Sequence, residues 1–433
     1  MLPRVDLPEV LLEVHAWTRF LSAFTHLTEQ VTGVDPGSES RIVDVELSVA
    51  ACLVAEGCNL GFSPVVKPGN SAFSRDRLSH VDQNYLRAET LQATNARLIA
   101  AQAGIDIARL WGGGLVTSVD GLRFVVPVQT INAGPNPKYW GTRRGVTWLN
   151  AINDQVAGLG AVLVPGTVRD SLYVLDCLLN LDGGARPELV TSDTASYSDI
   201  VFGLFRLLGY QFSPRIADLA DQRLWRVDSA AHYGPLDPVS RNRINTGRIA
   251  THWEDMLRIA GSLATGTVRA YDLLRMLGRD GHPTPLGNAI ADYGRIAKTL
   301  HLLAVLDPDD ETYRRTINTQ LTVQESRHRL ARKIFYGQRG ELRQRYREGQ
   351  EDQLSALGLV LNAVVLWNTR YIGAAVAELR AQGHPVPDEH AARLSPLVDK
   401  HLNVHGRYSF TPEGLPTGTL RPLRDPAESD HDE

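Results

Sequence analysis

Three acids stand out for what their type and setting could do: Asp120 in VTSVDGLRFVVP, Asp193 closing ELVTSD, and Glu325 in TQLTVQESRHRLARKIF. Carboxylates gathered from distant parts of a chain can hold divalent cations, and such cations drive displacement at phosphate. Each acid also has a plainer reading. Asp120-Gly121 between two β-like runs is the commonest short hairpin turn. Asp193 sits where a strand ends and a helix begins, which is a favoured place for a capping acid and equally for a ligand-binding one. Glu325 shares a helical stripe with Leu321, His328, Arg332 and Phe335, so an inward carboxylate there needs a partner. An intrahelical ion pair with Arg329 or Arg332 would serve as well. Glu325-x-x-His328 would suit a di-iron site only with a second such pair, and the sequence has none.

Cations concentrate near these acids. From Glu311 to Gln350 there are nine Arg and one Lys against four Glu, a local balance of +6 in a chain of net charge −4. That segment supplies Arg329, Arg332 and Lys333. The loop NAGPNPKYWGTRRG interleaves Lys138, Arg143 and Arg144 with Tyr139 and Trp140. Positive charge serves phosphates and aromatic faces stack bases, although NAGPNP is also an ordinary turn sequence and Arg-rich helices are commonly solvated. Trp111-Gly-Gly-Gly114 lacks the Gly-Lys-Ser/Thr of a phosphate loop, and no Gly-x-Ser-x-Gly elbow occurs, which argues against nucleotide hydrolysis and acyl transfer.

The elements that must position these groups follow an α/β pattern. At 433 residues, 43% hydrophobic and 22% charged, the chain has the composition of a globular protein with room for two or three domains. Residues 1–110 read as helical, with one long helix expected from Ser79 to Gly104. LRFVVPVQTI, GVTWLNAI, GAVLVP and ELVTSD read as strands. Thr167 and Asp170 form a capping box for the helix that follows GAVLVP. SDIVFGLFRLLG is a further helix. Helical stretches alone fill 216–310, and the apolar run Ala356 to Trp367 reads as a buried helix. From Gly414 the tail turns Pro-rich and then acidic, the composition of a disordered end. Cys52, Cys58 and Cys177 have no metal-ligand spacing. With no signal-peptide pattern at the start and no apolar run of bilayer length, the expectation is a cytoplasmic protein, nucleoid-associated if it binds DNA, with no membrane partner.

Across these residues the chain resembles the C-terminal catalytic half of the class II, Tn-three-type, replicative transposases of the DDE type. The matching blocks include VKPGN, QNYLRAETL, WGGG, DGLRFVVPVQTINAGPNPKYWG, VPGTVRDSL, SDTASYSDIVFGLFRLLGYQFSPR, HWEDMLRIAGSL, QESRHRLARKIFYGQRGELRQRYREGQEDQL, LNAVVLWNTRYI and HGRYSF. Around two of the acids the chain departs from the family, at ASYSD and at Thr322-Val323-Gln324.

The resemblance implies a ribonuclease-H-like mixed sheet with helices, interrupted by a helical insertion and preceded by a helical segment. It implies that Asp120, Asp193 and Glu325 are both the catalytic and the metal-binding residues, using two Mg²⁺ ions, for which Mn²⁺ could substitute. The reaction implied is phosphodiester cleavage and strand transfer without ATP, on transposon ends and target DNA, by a homodimer. Lys138, Tyr139, Trp140, Arg143, Arg144, Arg329, Arg332 and Lys333 are the expected DNA contacts. The expected division is 1–110 helical; 111–215 the first part of the catalytic domain; 216–310 the insertion; 311–382 its end; and 383–433 a C-terminal extension. Family members are more than twice as long, with end recognition in the N-terminal half. A truncated, catalytically incompetent DNA-binding remnant or inhibitor is therefore the alternative.

Overall fold

The computed structural model describes residues 1–28, 43–166, 170–193, 197–345, 347–411 and 420–425. Thr167, and with it the expected capping box, lies outside them.

The β-branched and aromatic runs form a curled mixed sheet of β1 (Val116–Val125), β2 (Gly134–Pro135), β3 (Arg144–Asn153), β4 (Gly158–Pro165), β5 (Leu189–Ser192) and β6 (Gln211–Phe212). β3 lies antiparallel to β1 on one edge and to β4 and β2 on the other. Beyond β1 come β5 and then β6, both parallel to it. Hairpins thus build one half and crossovers the other, since parallel neighbours need a long connection. Asp120-Gly121 is not a turn. Nine consecutive pairs from Thr117↔Asn153 to Val125↔Gly145 hold it inside one continuous strand, with Asp120 opposite Asn150.

The helices used below are α1 (Leu7–Thr18), α2 (Val45–Gly57), α3 (Arg75–Tyr85), α4 (Ala88–Ala103), α5 (Val174–Leu179), α6 (Asp199–Leu207), α7 (Trp253–Ala264), α8 (Ala270–Gly278), α9 (Pro285–Leu306), α10 (Glu311–Ile334) and α11 (Arg347–Ala381). The expected helix from Ser79 to Gly104 is broken between α3 and α4. Arg87 is extended there (φ −148°). Its N–H donates to Thr90 Oγ1 at 3.3 Å, and the Thr90 hydroxyl donates to Tyr85 O at 2.6 Å. Local side-chain bonds therefore win over helix propensity.

Alternation along β1 and β3 divides the apolar residues between two cores. On one face Leu122, Phe124, Val146 and Trp148 meet α1, α2, α11 and the end of α10. On the other, Val119, Leu149, Ala151 and Val190 meet α5, α6 and residues of α7, α8 and α9. The segment 216–310 is mostly helical, with one pair of two-residue strands at Trp225–Arg226 and Asn242–Arg243. Its α9 lies directly against α6. A Cβ added at Gly294 would stand 1.8 Å from Asp199 O, and one at Gly203 2.2 Å from Ile290 O. Glycine at both positions lets the two backbones touch.

The apolar run in α11 is buried as expected: Leu357, Val360, Leu361, Val364 and Trp367 are each at most 1% exposed. By length and composition Gly349–Ala381 could cross a membrane, but here it is the central post of the first core. The expected disordered tail needs correcting where it is described. Leu420 and Leu423 pack on that core. Arg421 pairs with Glu13 and, at 3.0 Å, with Glu9, and its N–H donates to Tyr371 Oη at 2.9 Å.

Candidate active site

α10 crosses the sheet face that carries the even-numbered residues of β1. Ser118 Oγ donates to Gln324 Oε1 at 2.6 Å. Gln320 Nε2 reaches Ser118 Oγ at 3.1 Å and Ile152 O at 2.8 Å. Two residues along β1, Asp120 Oδ2 lies 3.7 Å from His328 Nδ1. Further on, the Phe124 and Phe335 rings stand 5.0 Å apart, edge to face. The helix meets the strand through Gln320, Gln324 and His328, four residues apart and so on one helix face, with Phe335 at its end.

This interface is polar, and its residues are not all those of the expected stripe. Gln324 and His328 are buried, whereas Glu325 and Arg332, expected on the inward stripe, are exposed. The stripe is displaced by one residue because Gln320 and Gln324 satisfy Ser118 and the sheet carbonyls, which Leu321 and Glu325 could not do. Asn150, opposite Asp120, completes the network. Its Nδ2 stands 3.0 Å from His328 Nε2 and donates to Asp120 O at 3.3 Å, while its Oδ1 accepts from Gln324 Nε2 at 3.0 Å. Gln324 Nε2 is 3.1 Å from the same imidazole nitrogen. Burial first, and then Arg332, Arg327 and Arg123, hold the His328 pKa down at about 3. The ring is neutral at pH 7. With amide donors at Nε2, its proton belongs on Nδ1, facing Asp120, an assignment inferred from those donors.

The other two acids are carried by different elements, Asp193 at the end of β5 and Glu325 on α10. The parallel register pairs Val119 with Ser192, so the next residues, Asp120 and Asp193, end up on neighbouring strands at the same level. Asp193 follows the carboxyl end of β5, where ligands of such sheets gather, while Asp120 lies at the middle of β1. On α10, Arg327 turns to one flank, where it donates to Val156 O at 3.2 Å and Asn362 Oδ1 at 2.6 Å. At about 100° per residue, Glu325 falls on the flank opposite Arg327, where it is exposed. Among the described residues, no three His, Cys, Asp or Glu side chains are close enough to hold a metal ion. Hard carboxylate oxygens are nonetheless the donor type that Mg²⁺ takes.

The expected DNA contacts divide. Lys138, Arg143, Arg144, Arg329 and Arg332 are exposed. Arg143 is 3.8 Å from Glu341, Arg144 donates to Ala133 O at 2.6 Å, and Arg329 donates to Ser326 Oγ at 2.8 Å. Lys333 pairs with Asp399 at 3.0 Å. Tyr139 is half-exposed and stacks under Arg123 at 3.8 Å, with Lys138 at 5.1 Å. Trp140 is the exception: at 6% exposure it is a core residue and offers no face to a base. Gly145 makes this possible, since a Cβ there would stand 2.2 Å from the Trp140 ring.

A second group of acids lines a cavity of about 1160 Å³ between α2, α3, α4, β4 and α11, which reaches Asn150 and Arg327. Desolvation by the cavity wall, with Asp82 adding like charge, pushes Glu56 up to about 8. Desolvation likewise raises Asp82 and Asp182 to about 6.

The family model described as the Tn3 transposase DDE domain matches residues 9–408. The chain is 59% identical over 430 residues to the transposase for transposon Tn4556 of Streptomyces fradiae, a match covering 99% of this chain and 47% of that one. It is 51% identical over 424 residues to the transposase for transposon gamma-delta of Escherichia coli, covering 98% and 41%. With the transposase for transposon Tn501 of Pseudomonas aeruginosa it shares 36% over 430 residues, covering 99% and 42%. The chain spans less than half the length of each of these relatives.

Proposed function

The chain belongs to the Tn3 transposase DDE-domain family, and from that premise we propose that it carries out metal-dependent cleavage and joining of DNA phosphodiesters through Asp120, Asp193 and Glu325. The observation that carries the reading is the register: two acids 73 positions apart in sequence stand level on neighbouring parallel strands, under the helix that bears the third. We read the mixed sheet as the ribonuclease-H-like core and 216–310 as its insertion.

Three carboxylates brought to one point would repel and would need a counter-charge. Mg²⁺, as a pair of ions, would supply it, activating the attacking oxygen and neutralising the leaving one. The protein's own part is orientation. Asn150 and Gln324 fix the neutral His328, whose Nδ1–H faces the Asp120 carboxylate and biases how it presents its oxygens. Lys138, Tyr139, Arg143, Arg144, Arg329 and Arg332 would flank the DNA, drawing phosphate to an otherwise acidic protein. On the same family premise, we propose transposon ends and target DNA as substrates, bound by a homodimer.

The test is Mg²⁺-dependent cleavage and joining on pre-nicked transposon-end DNA. Asp120→Asn, Asp193→Asn and Glu325→Gln should each abolish turnover and leave the melting curve intact. Full joining activity in any one of them removes that residue from the triad.

A further inference from the structure

Arg215 extends the same row by one strand. β5 and β6 pair as Leu189↔Gln211 and Val190↔Phe212. The ladder runs on past the strand: Ser213 N donates to Val190 O at 2.7 Å and Arg215 N to Ser192 O at 2.9 Å. Counting forward, Arg215 stands level with Asp193, as Asp193 does with Asp120. The face is fixed as well. Ser213 Oγ is 2.6 Å from Tyr313 Oη, and Gln211 Nε2 is 3.5 Å from the same oxygen, so the odd residues of this segment point toward α10. Arg215 is the next odd residue and shares that face by alternation. It is exposed, and among the described residues its guanidinium has no hydrogen bond or ion pair.

We propose that Arg215 is a substrate contact, its guanidinium gripping the non-bridging oxygens of the phosphate that reacts beside Asp120 and Asp193. The inference rests on the reading of the preceding subsection. A planar fork of N–H donors matches phosphate oxygens two at a time. Its place at the carboxyl end of a parallel strand, on the row of the acids, distinguishes it from the scattered surface arginines. Because charge accumulates on the phosphate as the reaction proceeds, the grip serves the reaction rate more than DNA affinity.

The experiment uses the whole chain and two readouts. Cys52, Cys58 and Cys177 are all buried, so an introduced surface cysteine is the accessible thiol. Arg215→Cys is mixed with a nicked oligonucleotide duplex whose phosphate at the nick carries an activated-disulfide tether, with Met276→Cys as control, its side chain 58% exposed on α8. The expected cross-linking yield is on the order of tenfold above the control. Equal yields overturn the proposal. In cleavage, Arg215→Ala should slow the single-turnover rate on the order of 10²-fold, with Arg215→Lys between it and the parent and the salt dependence of binding little changed. Wild-type rates in Arg215→Ala, while Asp120→Asn and Asp193→Asn are dead, overturn Arg215 alone. Undiminished cleavage in Asp120→Asn or Asp193→Asn overturns the underlying reading instead.

Discussion

Two groups of acids share this protein and are treated oppositely by the fold. Asp193 and Glu325 are exposed, while Asp120 is half-exposed at the strand centre. Glu56, Asp82 and Asp182 line a deep cavity that raises their pKa values toward or past neutrality. A strongly shifted pKa is a common marker of a functional site. Glu56, Asp82 and Asp182 carry one, and they lie outside the proposed site. The proposed cation ligands stand where water reaches them, and strand register picks out two of the three.

The largest contrast should appear in catalysis. Asp120→Asn, Asp193→Asn or Glu325→Gln should reduce joining roughly 10³-fold or more, while Asp82→Asn and Asp182→Asn leave it near the parent rate. Equal losses in both groups would erase the distinction. Next comes the support beneath Asp120. Gln324→Leu removes the amide that bonds Ser118, Asn150 and His328, and Mn²⁺ affinity measured by electron paramagnetic resonance should fall about 10–100-fold. An unchanged isotherm would make the network purely structural.

A smaller effect belongs to the cations around the exposed group. Arg143→Ala with Arg144→Ala should lower DNA affinity and reduce the slope of log affinity against log salt by roughly 2. An unaltered slope removes that loop from the interface. The smallest effect concerns Glu56. Its folded pKa of about 8 exceeds the ordinary 4.5, so the folded state holds the proton more tightly. Its contribution to stability is therefore complete below 4.5 and is lost as pH rises toward 8. Glu56→Gln should flatten that decline and raise Tm at pH 8 on the order of 2 °C. A steeper decline in the variant would contradict the assignment.

The strands were legible because their β-branched runs are long and bounded by turns, and the α11 run because it is apolar on every side. What escaped was decided by tertiary context. Asp120-Gly121 has the local chemistry of a turn, but nine ladder pairs with β3 override it. Gln320 and Gln324 lie off the stripe expected on that helix, and only the sheet supplies Ser118 and Ile152 O as their partners. Their spacing with His328 was the available signal. Trp140 resembled a stacking platform because nothing in the sequence says that Gly145 makes room for its ring. The tail looked disordered by composition, yet one arginine finds two glutamates on α1. Arg215 carried no signal beyond its type, since its meaning lies in a register that exists only once β5 and β6 pair.

α10 belongs to the site at its middle and to the first core at its end, where Leu330, Ile334 and Phe335 are each at most 2% exposed. From Glu325 to Phe335 the helix advances about 15 Å. The aromatic contact with Phe124 anchors the end of the helix whose middle bears Glu325, so loosening Phe335 is expected to disturb the proposed site through packing alone. A screen scored on DNA joining alone would class Phe335 with the proposed triad. Only a melting curve beside the activity would separate the hand from the wrist.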